Sequence, residues 1–262
     1  MRNLRALAAA LMPIVARAGA EIMRIYAGDF AVQYKPDGSP LTSADLESQR
    51  VILEGLAALT PDVPVLSEES AVAPWPERRL WEELWLIDPL DGTREFVKRN
   101  GEFTINLALI SRNEAILGVV AAPAQGVVYW GIRGLGAFRT RRGAAPAAIR
   151  VAPVGRPVRV VGSRSRPSAE SAAYLARFAD SVSLRAGSSL KFCLVAEGSA
   201  DVYPCFGPTS EWDTAAGQAL LEAAGGHVTR LDGHRLRYNC RESLLNGDFL
   251  AYGDAGSLPA SG

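Results

Sequence analysis

An apolar segment that ends in two aspartates is the feature that most constrains this chain. Residues 84–96 read LWLIDPLDGTREF, so four apolar residues are followed closely by Asp88 and Asp91. A short continuous apolar run of this kind predicts a buried strand. Charged groups at the end of a buried strand are costly to desolvate unless a cation or a helix end compensates them. The fold must therefore bring one of these to the two aspartates.

Two explanations of the aspartate pair stay open from the local sequence alone. Pro89 restricts the backbone between the aspartates and Gly92 permits a turn, so both carboxylates and the Leu90 carbonyl can face one point. Hard oxygen ligands in such an arrangement suit Mg²⁺. Alternatively, Asp91 merely caps a helix that is predicted over TREFVKR.

The first half of the chain predicts two helices followed by an antiparallel meander. Apolar residues recur at helical spacing from Leu4 to Ile25, and a break or kink is expected at Pro13. A second helix is predicted after a Pro/Gly loop, with Thr42 or Ser43 as its N-cap. The predicted strands are VPVLSEES, FTINLALI, AILGVVAAP and VVYWGIR, with PAQG as a hairpin turn.

The second half of the chain alternates strands with helices. The predicted strands are VRVVGSRS, SVSLRAG and ADVYPCF, and the predicted helices are SAESAAYLARF, SSLKFCLVAEG and TAAGQALLEAAGG. We therefore predict an α+β fold, with an antiparallel meander half over 1–140 and an α/β half over 150–252. An Arg-, Ala-, Gly- and Pro-rich stretch between them is the predicted boundary, and 253–262 is a predicted disordered tail.

Composition excludes several classes of protein. The 28 basic and 28 acidic side chains give a formal net charge of zero, so no global field attracts polymeric nucleic acid. Three widely spaced cysteines without a CxxC motif predict neither a zinc site nor a disulfide framework. The amino terminus imitates a signal peptide, but its helical periodicity continues through the apparent cleavage site. We expect a cytoplasmic protein in which no segment has the length of a membrane span.

Further acidic residues stand beside other predicted elements. Glu68 and Glu69 follow a short strand, where one of them could bridge two cations, and Asp213 opens a helix. Asp37 and Asp45 flank a tight loop. Each of these positions alone is weak evidence for a metal site. An aspartate at the start of a helix is commonly an N-cap, which contributes about 1 kcal/mol to the stability of the fold.

Taken together, three segments resemble the inositol monophosphatase superfamily of Mg²⁺-dependent, lithium-sensitive phosphatases. They are EES at 68–70, WLIDPLDGT at 85–93 and WDTAAG at 212–217. The resemblance covers residues 13–250 and implies a layered αβαβα, sugar-phosphatase-like fold. The segments REFVKRNGEFTINLALI, GSSLKF and RESLLN further resemble its 3′(2′),5′-bisphosphate nucleotidase branch, which often has Lys where this chain has Arg94.

The resemblance implies metal ligands and a catalytic pair. The implied ligands of two or three Mg²⁺ ions are Glu68, Asp88, the Leu90 carbonyl, Asp91 and Asp213. Thr93 and Asp45 are implied to orient and deprotonate the attacking water, and Glu68 counts as catalytic as well as a ligand. Glu69 is expected to lie behind the ligands and support them.

Glycine-rich and basic segments predict places for phosphate groups. Backbone N–H groups at the start of a helix bind anions, and a cation in the first turn opposes the helix dipole unless an anion lies nearby. Arg94 and Lys191 are such cations, although Lys191 could instead be an ordinary surface lysine. The predicted substrate-binding residues are Gly92, Thr93, Arg94, Ser163, Arg164, Gly187, Ser188, Ser189 and Lys191.

The function that the resemblance implies is hydrolysis of the 3′-phosphate of adenosine 3′,5′-bisphosphate, in sulfur assimilation or nucleotide recycling. An inositol-phosphate or sugar-phosphate phosphatase shares every implied ligand. An inactive nucleotide- or metal-binding sensor is the alternative of a different class. The resemblance also leaves a homodimer open, and the Ala-rich amino-terminal helix leaves open a weak peripheral contact with the cytoplasmic face of the inner membrane.

Overall fold

The computed structural model describes residues 2–165 and 169–258. Within these ranges the chain forms seven α-helices, together with short 3₁₀ helices over Pro123–Gln125 and Ala255–Ser257. The α-helices are α1 (Leu4–Ala27), α2 (Ser43–Leu59), α3 (Trp75–Arg78), α4 (Thr93–Val97), α5 (Ala169–Leu175), α6 (Leu190–Ala196) and α7 (Glu211–Ala223).

The strands of the described residues form two large sheets and two small ones. The first sheet has seven strands in chain order, namely β3 (Val65–Ser67), β4 (Glu83–Asp91), β5 (Thr104–Ser111), β6 (Glu114–Ala122), β7 (Val127–Ile132), β8 (Gly136–Arg141) and β9 (Ala147–Ile149). The second has five strands in the order β11 (Ser181–Ala186), β10 (Val158–Ser163), β12 (Val202–Cys205), β16 (Phe249–Tyr252) and β14 (His227–Arg230). The small sheets pair β1 (Val32–Tyr34) with β2 (Pro40–Thr42), and β13 (Thr209–Ser210) with β15 (Leu245–Asn246).

Strand direction distinguishes the two large sheets. In the first sheet only β3 and β4 are parallel, and every later pair is antiparallel, as expected for a meander. In the second sheet β10 is parallel to β11 and β12, whereas β16 pairs antiparallel with β12 and β14. The predicted α+β class is confirmed.

The sheets and helices are stacked in five layers. Side chains alternate across a strand, so Trp85 and Ile87 of β4 pack with α1 and α2 on one face, whereas Leu84 and Leu86 pack with α6 and α7 on the other. The second sheet covers the far side of α6 and α7. Tyr174 of α5 packs on its outer face. The order helix, sheet, helix, sheet, helix is the αβαβα arrangement that the resemblance implies.

Two glycines bring α7 close to the first sheet. A Cβ atom added at Gly118 of β6 would lie 2.3 Å from the Ala216 carbonyl oxygen, and one added at Gly131 of β7 would lie 2.6 Å from Leu220 Cα. Only glycine permits so close an approach. The amino-terminal end of α7 is therefore held in a fixed position relative to β4.

The amino-terminal helix differs from two expectations. It runs through Pro13 without the break that was one of the two outcomes expected there, although proline removes one helical hydrogen bond. It is 24 residues long and contains an 18-residue window with a mean hydropathy of 1.5, so it meets the length and composition of a membrane span, contrary to the sequence analysis. However, its apolar stripe is buried in the core with α2 and the first sheet, so length and composition alone do not make it a membrane helix.

Near the predicted boundary and tail the chain has more secondary structure than the sequence indicates. The boundary stretch contains the end of β8 and all of β9, because backbone pairing with β8 adds a strand there despite small, exposed side chains. The first sheet therefore ends at Ile149, and the second begins at Val158. In the predicted tail, Asp254 caps a 3₁₀ helix and Ser257 is buried, whereas 259–262 lie outside the described residues. The division into halves remains a prediction.

Candidate active site

A cleft of about 500 Å³ lies between the two sheet-forming parts of the chain. Acidic residues from the first part line it, including Glu68, Asp88 and Asp91. The second part contributes Asp213, Lys191 and an apolar wall that includes Phe206. Residues that are far apart in sequence therefore share one concave site, which is where ligands usually bind.

Three carboxylates converge within the cleft. Ligand oxygens of Glu68, Asp88 and Asp213 all lie within 4.8 Å of one another. Glu68 and Asp88 are adjacent because β3 and β4 are parallel with Ser67 opposite Ile87, which brings the next residue of each strand side by side. Asp213 lies in the first turn of α7, where its Oδ2 accepts a hydrogen bond from the Ser210 amide at 2.7 Å. It is thus the N3 residue of a capping box, whose N-cap is Ser210, and not the N-cap itself.

The charge of this cluster needs compensation. Burial raises the pKa of Asp88 well above its usual range, and the carboxylates of Glu68, Asp91 and Asp213 raise it further. Burial also raises the pKa of Glu68, although Lys35 opposes this. A bound divalent cation would reverse both effects, because it stabilises the charged carboxylates. The acidic cluster has the ligand type and spacing to hold such a cation.

Lys35 supplies part of this compensation. Its Nζ lies 2.8 Å from Glu68 Oε1 and 2.6 Å from Glu69 Oε1, so the ammonium joins the two neighbouring glutamates. Burial alone lowers the pKa of Lys35, but the hydrogen bonds that its ammonium donates to both carboxylates outweigh this, and the pKa is raised. The side chain of Glu69 therefore turns to Lys35, in keeping with its expected supporting position.

Asp91 is held by hydroxyl groups from the second part of the chain. Its Oδ2 accepts hydrogen bonds from Ser188 Oγ at 2.7 Å and Ser189 Oγ at 3.1 Å, while Asn106 Nδ2 lies 3.4 Å away. Gly92, and not Asp91, is the N-cap of α4, so the alternative in which Asp91 caps that helix is wrong. Asp91 lines the same cleft as the three converging carboxylates but is not within their 4.8 Å group.

The Leu90 carbonyl and the Asp45 carboxylate both face the hydroxyl of Thr93. Thr93 Oγ1 lies 3.1 Å from Asp45 Oδ1 and 3.3 Å from the Leu90 carbonyl oxygen. The other oxygen of Asp45 accepts hydrogen bonds from the amide and the hydroxyl of Thr42, which confirms Thr42 as the N-cap of α2. Burial raises the pKa of Asp45, so this carboxyl is a better proton acceptor than an exposed aspartate.

The predicted phosphate-binding residues divide into two groups. Seven of the nine line the cleft, namely Gly92, Thr93, Arg94, Ser163, Ser188, Ser189 and Lys191. Arg164 and Gly187 are not among the lining residues, and both donate hydrogen bonds to the Glu102 carboxylate. Contact of these two residues with phosphate remains a prediction.

Lys191 is buried and is not a surface lysine. Only 7% of the residue is exposed, its Nζ donates to the Ser188 carbonyl oxygen at 2.5 Å, and it lies 5.2 Å from the centre of the Tyr203 ring. Burial lowers the pKa of Lys191, although Asp91 opposes this. A buried cation on the wall of an acidic cleft is suited to a second anionic group of a ligand.

Sequence reasoning missed Lys35 and Asn106. Asn106 is buried opposite Asp88 in the strand register, and its side chain donates to Ser189 Oγ at 2.9 Å. A polar residue inside the apolar strand FTINLALI was a signal that could have indicated it. Lys35 had no such signal, because its partners lie more than 30 residues away in sequence.

The fold and the cleft together define a class of protein. Five alternating layers, three converging carboxylates and a threonine–aspartate pair match the sugar-phosphatase-like phosphatases that the sequence resembles. Comparison with known proteins narrows this class.

A sequence profile of the inositol monophosphatase family matches residues 3–254. The chain is 51% identical over 234 residues to the 3′(2′),5′-bisphosphate nucleotidase CysQ of Salmonella typhimurium, covering 88% of this chain and 94% of that protein. It is 50% identical over 234 residues to the CysQ nucleotidase of Escherichia coli K12, with the same coverage. The chain belongs to the inositol monophosphatase family.

A solved structure agrees with this assignment. The crystal structure of CysQ from Bacteroides thetaiotaomicron, described as a bacterial member of the family, superposes with a TM-score of 0.85 at 37% identity. The match covers 96% of this chain and 98% of that one, so the similarity extends over both parts of the fold.

Proposed function

We propose that the protein is a 3′(2′),5′-bisphosphate nucleotidase that converts adenosine 3′,5′-bisphosphate to AMP and phosphate. The observation that carries the proposal is the meeting of Glu68, Asp88 and Asp213 beside the Thr93–Asp45 pair in one cleft. Two relatives that are at least 50% identical to this chain bear the name of this activity. A role in sulfur assimilation or nucleotide recycling follows from this substrate.

The proposed metal is Mg²⁺, with two or three ions in the cleft. The residues that would hold it are Glu68, Asp88, Asp91 and Asp213, together with the carbonyl oxygen of Leu90. These donors suit Mg²⁺, because all are hard oxygen atoms and three of the carboxylates already converge. The metal would lower the pKa of the attacking water and stabilise charge on the phosphoryl oxygens.

The chain's own residues would then guide the displacement at phosphorus. Thr93 accepts the proton of the attacking water as its own proton passes to Asp45, whose second oxygen is fixed by Thr42. The water oxygen forms a bond to phosphorus, the bond from phosphorus to the ribose 3′ oxygen breaks, and that oxygen takes up a proton. Lys191 and Arg94 line the cleft, and in this proposal they offer positive charge to the second phosphate.

A comparison of three substrates at a fixed Mg²⁺ concentration tests this function. We expect phosphate release from adenosine 3′,5′-bisphosphate to exceed that from inositol 1-phosphate and fructose 1,6-bisphosphate, and to be inhibited by lithium. Asp88→Asn is the control that removes a ligand while keeping its size. Faster cleavage of inositol 1-phosphate would reassign the substrate, and background turnover of all three would favour the sensor alternative.

The remaining expectations concern assembly and location. The substrate is a small molecule and the proposed location is the cytoplasm. Homodimer formation and peripheral membrane contact stay predictions. The apolar stripe of α1 already packs into the core, which leaves less of that helix to face lipid.

A further inference from the structure

Glu102 connects three segments beside the cleft. It lies between α4 and β5, and its carboxylate accepts two hydrogen bonds from the Arg164 guanidinium, at 2.6 and 2.7 Å. Its Oε2 also accepts a hydrogen bond from the Gly187 amide at 2.8 Å. Arg164 in turn donates to the Arg185 carbonyl oxygen at 2.9 Å. One carboxylate thus ties the first part of the chain to the ends of β10 and β11.

The contact between Glu102 and Gly187 is close. A Cβ atom added at Gly187 would lie 2.7 Å from the Glu102 carbonyl oxygen and 2.8 Å from Glu95 Cγ. Both distances are shorter than those that real Cβ atoms make with their neighbours. The backbone of the 187–189 loop therefore packs directly against the segment that carries Glu102.

The 187–189 loop has no regular structure of its own to hold it. Ser188 has a φ of 54°, in the left-handed region that is unfavourable for a residue with a side chain. Ser189 is the N-cap of α6, yet its side chain makes no capping hydrogen bond. Ser188 Oγ instead donates to Asp91 Oδ2, and Ser189 Oγ lies within hydrogen-bonding distance of both Asp91 Oδ2 and the Asp213 carbonyl oxygen. External contacts must therefore keep this strained loop in place.

We propose that Glu102 is a positioning residue that holds the 187–189 loop against Asp91, and that Arg164 is its counter-ion and not a phosphate ligand. With Oδ2 occupied by Ser188 and Ser189, Asp91 offers its Oδ1 to a cation, and Oδ1 has no protein hydrogen bond in the described part of the chain. Release of the loop would let the Asp91 carboxylate rotate and weaken cation binding. This inference rests on the proposed function, because it requires that Asp91 binds a cation.

Another ion pair of the same form provides a matched control. Glu222 at the carboxyl end of α7 also accepts a two-point contact from an arginine, Arg235, and a further hydrogen bond from Gln218. The exposed side-chain fractions agree closely, with 19% and 44% for Glu102 and Arg164 against 18% and 42% for Glu222 and Arg235. Removal of either glutamate should therefore destabilise the protein by a similar amount through the loss of its ion pair.

The test measures Mn²⁺ binding by electron paramagnetic resonance, without substrate, in the full-length protein. Glu102→Ala is expected to weaken Mn²⁺ binding about tenfold and to raise the half-saturating Mg²⁺ concentration for phosphate release in parallel. Glu222→Ala is expected to leave both within about twofold, with a similar change in melting temperature. If Glu102→Ala does not fold, Glu102→Asp keeps the charge but withdraws the carboxylate from Gly187, and is expected to weaken binding at least about threefold.

The outcomes separate the inference from the proposed function. Equal Mn²⁺ affinity in wild type and in the Glu102 variants would overturn the positioning role while leaving the nucleotidase proposal intact. No Mn²⁺ binding by the wild type would overturn both. Arg164→Ala is expected to leave the KM for adenosine 3′,5′-bisphosphate within about threefold of wild type, and a larger rise with unchanged Mn²⁺ affinity would restore Arg164 as a phosphate ligand.

Discussion

Thr93 Oγ1 and Asp45 Oδ1 lie 3.1 Å apart, and each belongs to the first turn of a different helix. The capping box of α2 fixes Asp45 through its other oxygen, so the pair is oriented by ordinary helix-capping chemistry. A hydroxyl that is bonded to a buried carboxylate can relay a proton from an attacking water.

We predict that removal of the Thr93 hydroxyl abolishes most turnover. Thr93→Val keeps the shape of the side chain and is expected to lower kcat by about 10²- to 10⁴-fold, because the proton relay is lost. Thr93→Ser keeps the hydroxyl and should retain most of the activity. Steady-state phosphate release measures both variants, and a fall of less than tenfold in Thr93→Val would argue against the relay.

The stability of the metal-free protein should depend on the protonation of Glu211. Burial raises the pKa of Glu211 from 4.5 to about 7. An acid with a raised pKa in the folded state contributes stability below its unfolded pKa, and loses that contribution as pH rises through the folded pKa. Between pH 4.5 and 8 this group alone should lower the free energy of unfolding by about 3 kcal/mol.

Urea unfolding at pH 4.5 and pH 8 measures this dependence. Glu211→Gln cannot ionise and should lack that part of the decrease, whereas Glu54→Gln, exposed on α2, should keep it. Identical pH profiles for wild type and Glu211→Gln would contradict the account of Glu211.

Lys191 should discriminate between substrates with one and two phosphates. Lys191→Met keeps an apolar stem in the buried site but removes the charge. We expect kcat/KM for adenosine 3′,5′-bisphosphate to fall about 10- to 100-fold, and that for adenosine 3′-monophosphate to fall much less, since a charge-assisted hydrogen bond contributes about 1.5–3 kcal/mol. An equal loss of kcat/KM for both substrates would show that Lys191 does not bind the second phosphate.

The close contact between α7 and the first sheet should control both stability and metal binding. Gly118→Ala places a Cβ 2.3 Å from the Ala216 carbonyl oxygen, so α7 must move, at a cost of about 1–3 kcal/mol. Because Asp213 lies on α7, the half-saturating Mg²⁺ concentration should rise as well. Gly155→Ala is the control, because a Cβ atom added there would have no atom within 4 Å beyond its chain neighbours. It should change neither the stability nor the half-saturating Mg²⁺ concentration.

The strand framework was predictable because buried strands leave a strong local signal. The runs around 84–87, 104–111 and 114–122 became β4, β5 and β6, and β5 and β6 pair antiparallel as expected. The resemblance implied that Glu68, Asp88 and Asp213 share cations, and their ligand oxygens lie within 4.8 Å of one another. Glu68 and Asp88 meet at the ends of adjacent parallel strands, and Asp213 lies in the first turn of α7. Exposed β9 gave no such signal, and its structure comes from backbone pairing with β8.

The side-chain partners within the cleft were less predictable. Arg164 was assigned to phosphate from its position after a strand, yet it pairs with Glu102, 62 residues away in sequence. Lys191 occupies a position typical of a surface lysine, yet packing of α6 between the two sheets buries it. Both outcomes depend on how the two sheets face each other, which no local pattern records.

The proposed activity requires that the carboxylates of Glu68, Asp88 and Asp213 share a divalent cation. Anomalous diffraction from crystals soaked in Mn²⁺ would locate that cation. We predict at least one anomalous peak between these three carboxylates in the wild type, and its loss in Asp88→Asn. A wild-type map with no peak in the cleft, or with Mn²⁺ only at sites remote from these residues, would contradict the account.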